Sequence, residues 1–163
     1  MSQVVIKKMI RQLNEIHDGA VWFDECFRNK MDKLTDAEAL ARPIPQIHSV
    51  AELVSHCLEW RKECMLRFKD LRTELMNSPE DWKTNTELSK VGWANLKNSF
   101  YESQAELIHL IENQDDTFLE KINPVSECTY HYLIEGIIHH DLYHLGQMGI
   151  TIKLLNETKK IRT

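Results

Sequence analysis

Apolar residues recur at helical spacing through four long stretches of the chain, and no stretch shows the alternation of a half-buried strand. The first stripe, Val5, Met9, Leu13, Ile16, Ala20, Phe23, Phe27 and Met31, predicts one helix over about residues 3–33, with Gly19 a local weakness. The second, Leu53, Cys57, Trp60, Cys64, Phe68, Leu71 and Leu75, predicts a helix from Ser49 to about Met76. Ser49 caps it, Glu52 three residues later completes a capping box, and Arg61, Lys62, Glu63, Lys69 and Asp70 take the outer side. The third, Trp93, Leu96, Phe100, Gln104, Leu107 and Ile111, predicts a helix over about 86–114 in which Gln104 needs a hydrogen-bond partner if buried. The fourth runs Leu133, Ile137, His140, His144, Met148 and Leu155, after a cap at Ser126 or Thr129.

Between the first two helices, residues 34–48 hold a short turn started by Thr35 and Glu38 and ended by Pro43 and Pro45. Four long amphipathic helices predict an all-α chain, a four-helix bundle, with this connection long enough for a crossover. Scarce glycine (5) and proline (4) agree with long helices, and 163 residues suit a single domain over residues 1–163.

Charge and cysteine usage narrow the function classes. The net charge is −5 and the one basic run is Lys159-Lys160-Ile161-Arg162, which argues against a nucleic-acid partner. No apolar run is long enough for a bilayer, and the N-terminus shows no apolar signal core. Cys26, Cys57, Cys64 and Cys128 include no CxxC pair. Cys57 and Cys64 are two turns apart, roughly 10 Å along an axis, too far for a bridge. Reduced thiols in a cytoplasmic protein account for them.

The candidate chemistry is on the last helix. His140 and His144, at i and i+4 on an apolar face, can reach one ion. A single buried histidine is more often a hydrogen-bonded core residue, so the metal reading needs a third ligand from a facing helix. His56 is the best candidate and Cys57, deeper in the same face, the alternative. Asp141, where a zinc protease has Glu, excludes the HExxH pattern. Gln147 lies close enough to bond a ligand imidazole or the helix-one backbone, Asp141 either orients a histidine or is exposed, and Gly146 permits close helix approach. Tyr143 and Glu52 are weaker candidates. His17, His109, His131 and His139 read as exposed or structural.

His48-Ser49-Val50-Ala51-Glu52-Leu53-Val54-Ser55-His56, followed by His140-Asp141-Leu142-Tyr143-His144-Leu145-Gly146-Gln147, resembles the DinB-like metalloprotein superfamily, with its YfiT-like metal-dependent hydrolases and bacillithiol S-transferases. The resemblance implies that His56, His140 and His144 bind one divalent ion, usually nickel or zinc, in a DinB-like bundle that forms a homodimer. It implies a metal-dependent transfer of a low-molecular-weight thiol to an electrophile, with hydrolysis or a non-catalytic, stress-related metal site as alternatives. Many relatives have Trp where this chain has His48, which either lines the cleft mouth or, the preferred reading, is a surface residue of a Pro-containing loop.

Overall fold

The N-terminal stripe breaks into two helices because the chain turns sharply at Gly19. In the computed structural model, which describes residues 2–19 and 21–161, α1 covers Val4–His17 and α2 Phe27–Met31. The N–H groups of Asp18 and Gly19 both bond Asn14 O, at 3.0 and 3.1 Å, and a Cβ on Gly19 would lie 2.8 Å from Glu15 Cα. Phe27 and Met31 remain core residues, but Phe23 is half-exposed and Trp22 projects fully into solvent. Ala20 of the expected stripe and Arg162 of the basic run lie outside the described residues. The start of α1 has no local cap. Asp116 supplies one from the far side of the chain, accepting from Val4 N, Val5 N and Ile6 N at 2.9–3.1 Å.

The two capping boxes expected at Thr35–Glu38 and Ser49–Glu52 are both formed. They start α3 (Asp36–Ala39) and α4 (Val50–Arg67). Helix α4 ends well before Met76. Asp70 takes a left-handed conformation (φ 57°), Leu71 N bonds Leu66 O and Asp70 N bonds Arg67 O, the double bond pattern of a Schellman stop. Leu71 is consequently exposed. A third box, Thr84–Glu87, opens α5 (Asn85–Val91). Gly92, at φ 84°, separates it from α6 (Trp93–Glu112) within the segment expected as one helix. After α7 (Asp116–Leu119), Thr129 Oγ1 accepts from Tyr132 N at 3.1 Å and so caps α8 (Tyr130–Ile161), while Ser126 bonds Asn123 instead.

The class is all-α, and the described residues form no strand. Helices α1 and α4 each pack against both α6 and α8 around one hydrophobic core. Gln104 finds the partner it needs, donating to Asn14 Oδ1 at 3.0 Å. Contacts at the helix ends give the directions. Gln3 reaches Glu112 O while Asn14 meets Gln104, so α1 and α6 are antiparallel. Thr151 bonds His48 O while Asn123, before α8, bonds Arg67 O, so α4 and α8 are antiparallel. Ser49 bonds Asn85 while Arg61 lies over Phe100, so α4 and α6 are parallel.

The crossover therefore follows α4 rather than preceding it. Residues 68–84 must return along α4 before the next long helix begins, and this return places Asp81 and Trp82 beside His56. Glu63 fastens the segment by accepting from Thr73 N and Oγ1 at 3.0 and 2.7 Å. Glu63 and Arg61, expected on the outer side of α4, are both buried. Among the described residues no helix is long and apolar enough to cross a membrane.

Candidate metal centre

Three histidines from two helices meet at the centre of the α4–α8 interface. His56 is on α4, and His140 and His144 occupy successive turns of α8. Their ring centroids are 4.4–4.9 Å apart, and one ligand nitrogen from each lies within 4.8 Å of the others. His56 and His144 are buried and His140 is half-buried.

Two of the three rings, His56 and His144, are oriented by what their other nitrogen touches. His56 Nδ1 donates to Asp81 O at 2.9 Å, with the Asp81 carboxylate at 3.0 Å, which leaves Nε2 as a lone pair facing the cluster. Trp82 stacks on the His56 ring at 3.9 Å and on its opposite face against His48 at 4.0 Å, so the indole is sandwiched between two imidazoles. His48 is thus part of the cleft wall and not a bare surface residue. His144 Nδ1 donates to Gln147 Oε1 at 2.7 Å, which decides between the two partners open to Gln147, and again frees Nε2. His140 Nε2 lies 3.0 Å from His56 Nε2, and His140 Nδ1 is buried without a partner.

This arrangement fits a divalent ion. Imidazole nitrogens sharing one ion at 2.0–2.1 Å lie roughly 3–3.4 Å apart, and the His56–His140 separation is already in that range. Two lone pairs facing one another at 3.0 Å repel unless a proton or a cation sits between them. Burial favours the neutral, ligating form in each ring. It holds His140 down at about 3, helped by the fields of His144 and His56. It holds His144 at about 4 against the opposing Gln147 bond, and lowers His56 against the opposing pull of Asp81.

A second group, Cys57, His140 and Asp141, also has ligand atoms within 4.8 Å of one another. It is the poorer donor set. Burial pushes the Cys57 thiol well above its usual range, and Asp141 is committed elsewhere. Asp141 Oδ2 accepts from Arg61 Nε and Nη2 at 2.9 and 2.6 Å, so it is neither exposed nor bonded to a neighbouring histidine. Arg61 is itself fully buried over the Phe100 ring and completes the floor beneath the histidines. Cys57, with no exposure, belongs to that floor too.

The remaining sequence candidates are not among the grouped ligand atoms. Gly146 is exposed, and a Cβ there would meet nothing within 4 Å, so it mediates no close helix approach. Glu52 is used by its capping box and by Arg42, whose Nη2 lies 2.6 Å away. Tyr143 is largely exposed but meets the His144 ring edge-on at 5.0 Å, His139 is exposed, and His131 pairs with Glu135. His17, expected at the surface, is buried against Phe100 and Tyr101, and burial with the nearby Arg61 charge lowers it to about 3. Asp81, Trp82 and Arg61 are the residues that sequence reasoning did not assign to the site. A tryptophan and an aspartate in an otherwise polar linker were the available signal.

The family model described as the DinB superfamily matches residues 26–148, a span that contains all three histidines, and the chain belongs to that superfamily. No curated protein and no solved structure matches the chain.

Proposed function

We propose that this DinB-superfamily protein binds one divalent ion, nickel or zinc, through His56, His140 and His144, and transfers a low-molecular-weight thiol to an electrophilic substrate. The reading rests on one observation above all: His56 Nε2, its lone pair turned to the cluster by the Asp81 bond at Nδ1, stands 3.0 Å from His140 Nε2. The ion would supply positive charge that favours the thiolate, the nucleophilic form of the thiol. The chain's own residues do the rest. Asp81 and Gln147 fix the tautomers of His56 and His144, and Trp82 shields the outer face of the His56 ring from water.

Thiol transfer and hydrolysis each require the nucleophile to lose a proton, and a divalent ion would assist either; thiol transfer is preferred on the superfamily resemblance, with hydrolysis as the alternative. The acidic residues packed around the histidines are already engaged: Asp81 with His56 and Trp60, Asp141 with Arg61, and Glu52 with Arg42 and its cap. The four free cysteines accord with a cytoplasmic setting, and homodimerisation follows from the superfamily resemblance.

The test is metal analysis followed by turnover. His140→Ala should lose most of its metal while keeping its helical circular dichroism. Undiminished metal in that variant would refute the ligand assignment. Metal-loaded protein should couple a small thiol to a general electrophile, and His56→Ala should not. Stoichiometric metal with no turnover across several thiols and electrophiles would refute the transferase reading.

A further inference from the structure

A cavity of about 190 Å³ opens beside the histidines, between α4 and α8. His140 forms one end. Its walls are Trp60 and Cys64 from α4 and Leu133 and Ile137 from α8. Seven residues separate Trp60 from Arg67 on one wall and Leu133 from His140 on the other, so the cavity extends for roughly 10 Å along the helices. Arg67 and Glu63 close the far end, and they are paired with each other: Arg67 Nε and Nη2 lie 3.2 and 3.1 Å from Glu63 Oε1. That pairing neutralises the guanidinium, so the far end does not call for an anionic group.

We infer that this cavity is the seat for an unbranched apolar arm of the substrate, which places the reacting head at His140 and stops the tail at the Arg67–Glu63 pair. The inference rests on the metal-site reading for the identity of the head, but the cavity exists without it. Three features support it. The walls are continuous with the histidine cluster, because His140 belongs to both. The cavity lies between two helices, and its lining residues span about two turns of each. Its rim includes Gly136, where a Cβ would meet nothing within 4 Å, so the opening is kept clear by the lack of a side chain. Each methylene moved from water into such walls should tighten binding about fourfold.

The experiment uses straight-chain primary alcohols, from butanol to octanol, titrated into metal-free and zinc-loaded protein and followed by methyl-resolved NMR. The Leu133 and Ile137 methyls should shift saturably. Affinity should rise about fourfold per methylene and then stop rising when the tail reaches Arg67. The His140 ring should respond to the hydroxyl end. Gly136→Leu, which has room for its Cβ, and Cys64→Met, which fills the cavity from the α4 side, should weaken octanol more than butanol without changing zinc content. Absent shifts at Leu133 and Ile137, equal affinity for all chain lengths, or a hydroxyl end at Arg67 would overturn the inference. Chain-length-dependent shifts in protein that fails to bind zinc would uphold the cavity and overturn the metal reading. Zinc binding without such shifts would do the reverse.

Discussion

Replacing Arg61 with methionine should destabilise the protein severely, by about 3–5 kcal/mol, because it strands a buried carboxylate. The Arg61 side chain has 0% exposure and that of Asp141 1%, and two of the guanidinium's nitrogens meet the same Asp141 oxygen. The other oxygen, Oδ1, has no partner already. Without Arg61 the carboxylate retains its desolvation cost and loses its compensation. Native proteins hold about 5–15 kcal/mol in all, so the loss is a large fraction of the total. At about 2–4 °C per kcal/mol for a chain of this size, the melting temperature should fall by roughly 6–20 °C.

The pH dependence gives this prediction a signature. Burial already raises the Asp141 carboxyl, opposed by the Arg61 charge and its hydrogen bonds. Removing that opposition raises it further. A carboxyl whose folded value exceeds its unfolded value, about 3.9, favours the folded state below that value and loses this advantage as pH climbs. The deficit of Arg61→Met relative to the wild type should therefore grow from pH 4 to pH 7. Urea unfolding followed by far-ultraviolet circular dichroism, at both pH values, measures it. The double variant Arg61→Met/Asp141→Leu, with no buried charge, should recover most of the loss. A single-variant cost below about 1 kcal/mol at neutral pH, or a double variant no more stable than the single, would refute the reasoning.

Two further outcomes follow, one from the cluster and one from the buried histidines as a set. Gln147→Ala removes the acceptor that holds His144 Nδ1, so zinc affinity should fall about 10–100-fold with the helical spectrum unchanged; competition with a chelator reads this, and equal affinity would show that Gln147 does not orient the ring. In metal-free protein, His17 and His140 at about 3 and His144 at about 4 all lie below the usual value near 6.5. The unfolded chain takes up these protons first, so their stabilisation is complete above pH 6.5 and is lost as pH falls towards 4 and 3. The urea midpoint should drop between pH 7 and pH 5, and His17→Leu should flatten that slope; a midpoint independent of pH over this range would contradict the burial of these rings as neutral groups.

What the sequence determined by itself is local. The helical period of the apolar residues gives the all-α class, and the boxes at Thr35–Glu38 and Ser49–Glu52 form where short-range hydrogen bonding requires them. The i, i+4 spacing of His140 and His144 puts their rings one turn apart on α8 whatever surrounds them. Tertiary structure decided the rest, because the deciding partners are distant in the chain. Arg61 and Glu63 look like outer-face charges until Asp141 and Thr73 arrive from other segments to neutralise and bond them. The stripe that appeared to run through Gly19 breaks because the backbone turns back on Asn14, and periodicity carries no information about that turn. The return of residues 68–84 along α4 follows from the parallel packing of α4 and α6, which no local pattern encodes. That return brings Asp81 and Trp82 to His56, and it turns a histidine on a helix face into an oriented member of a three-histidine cluster.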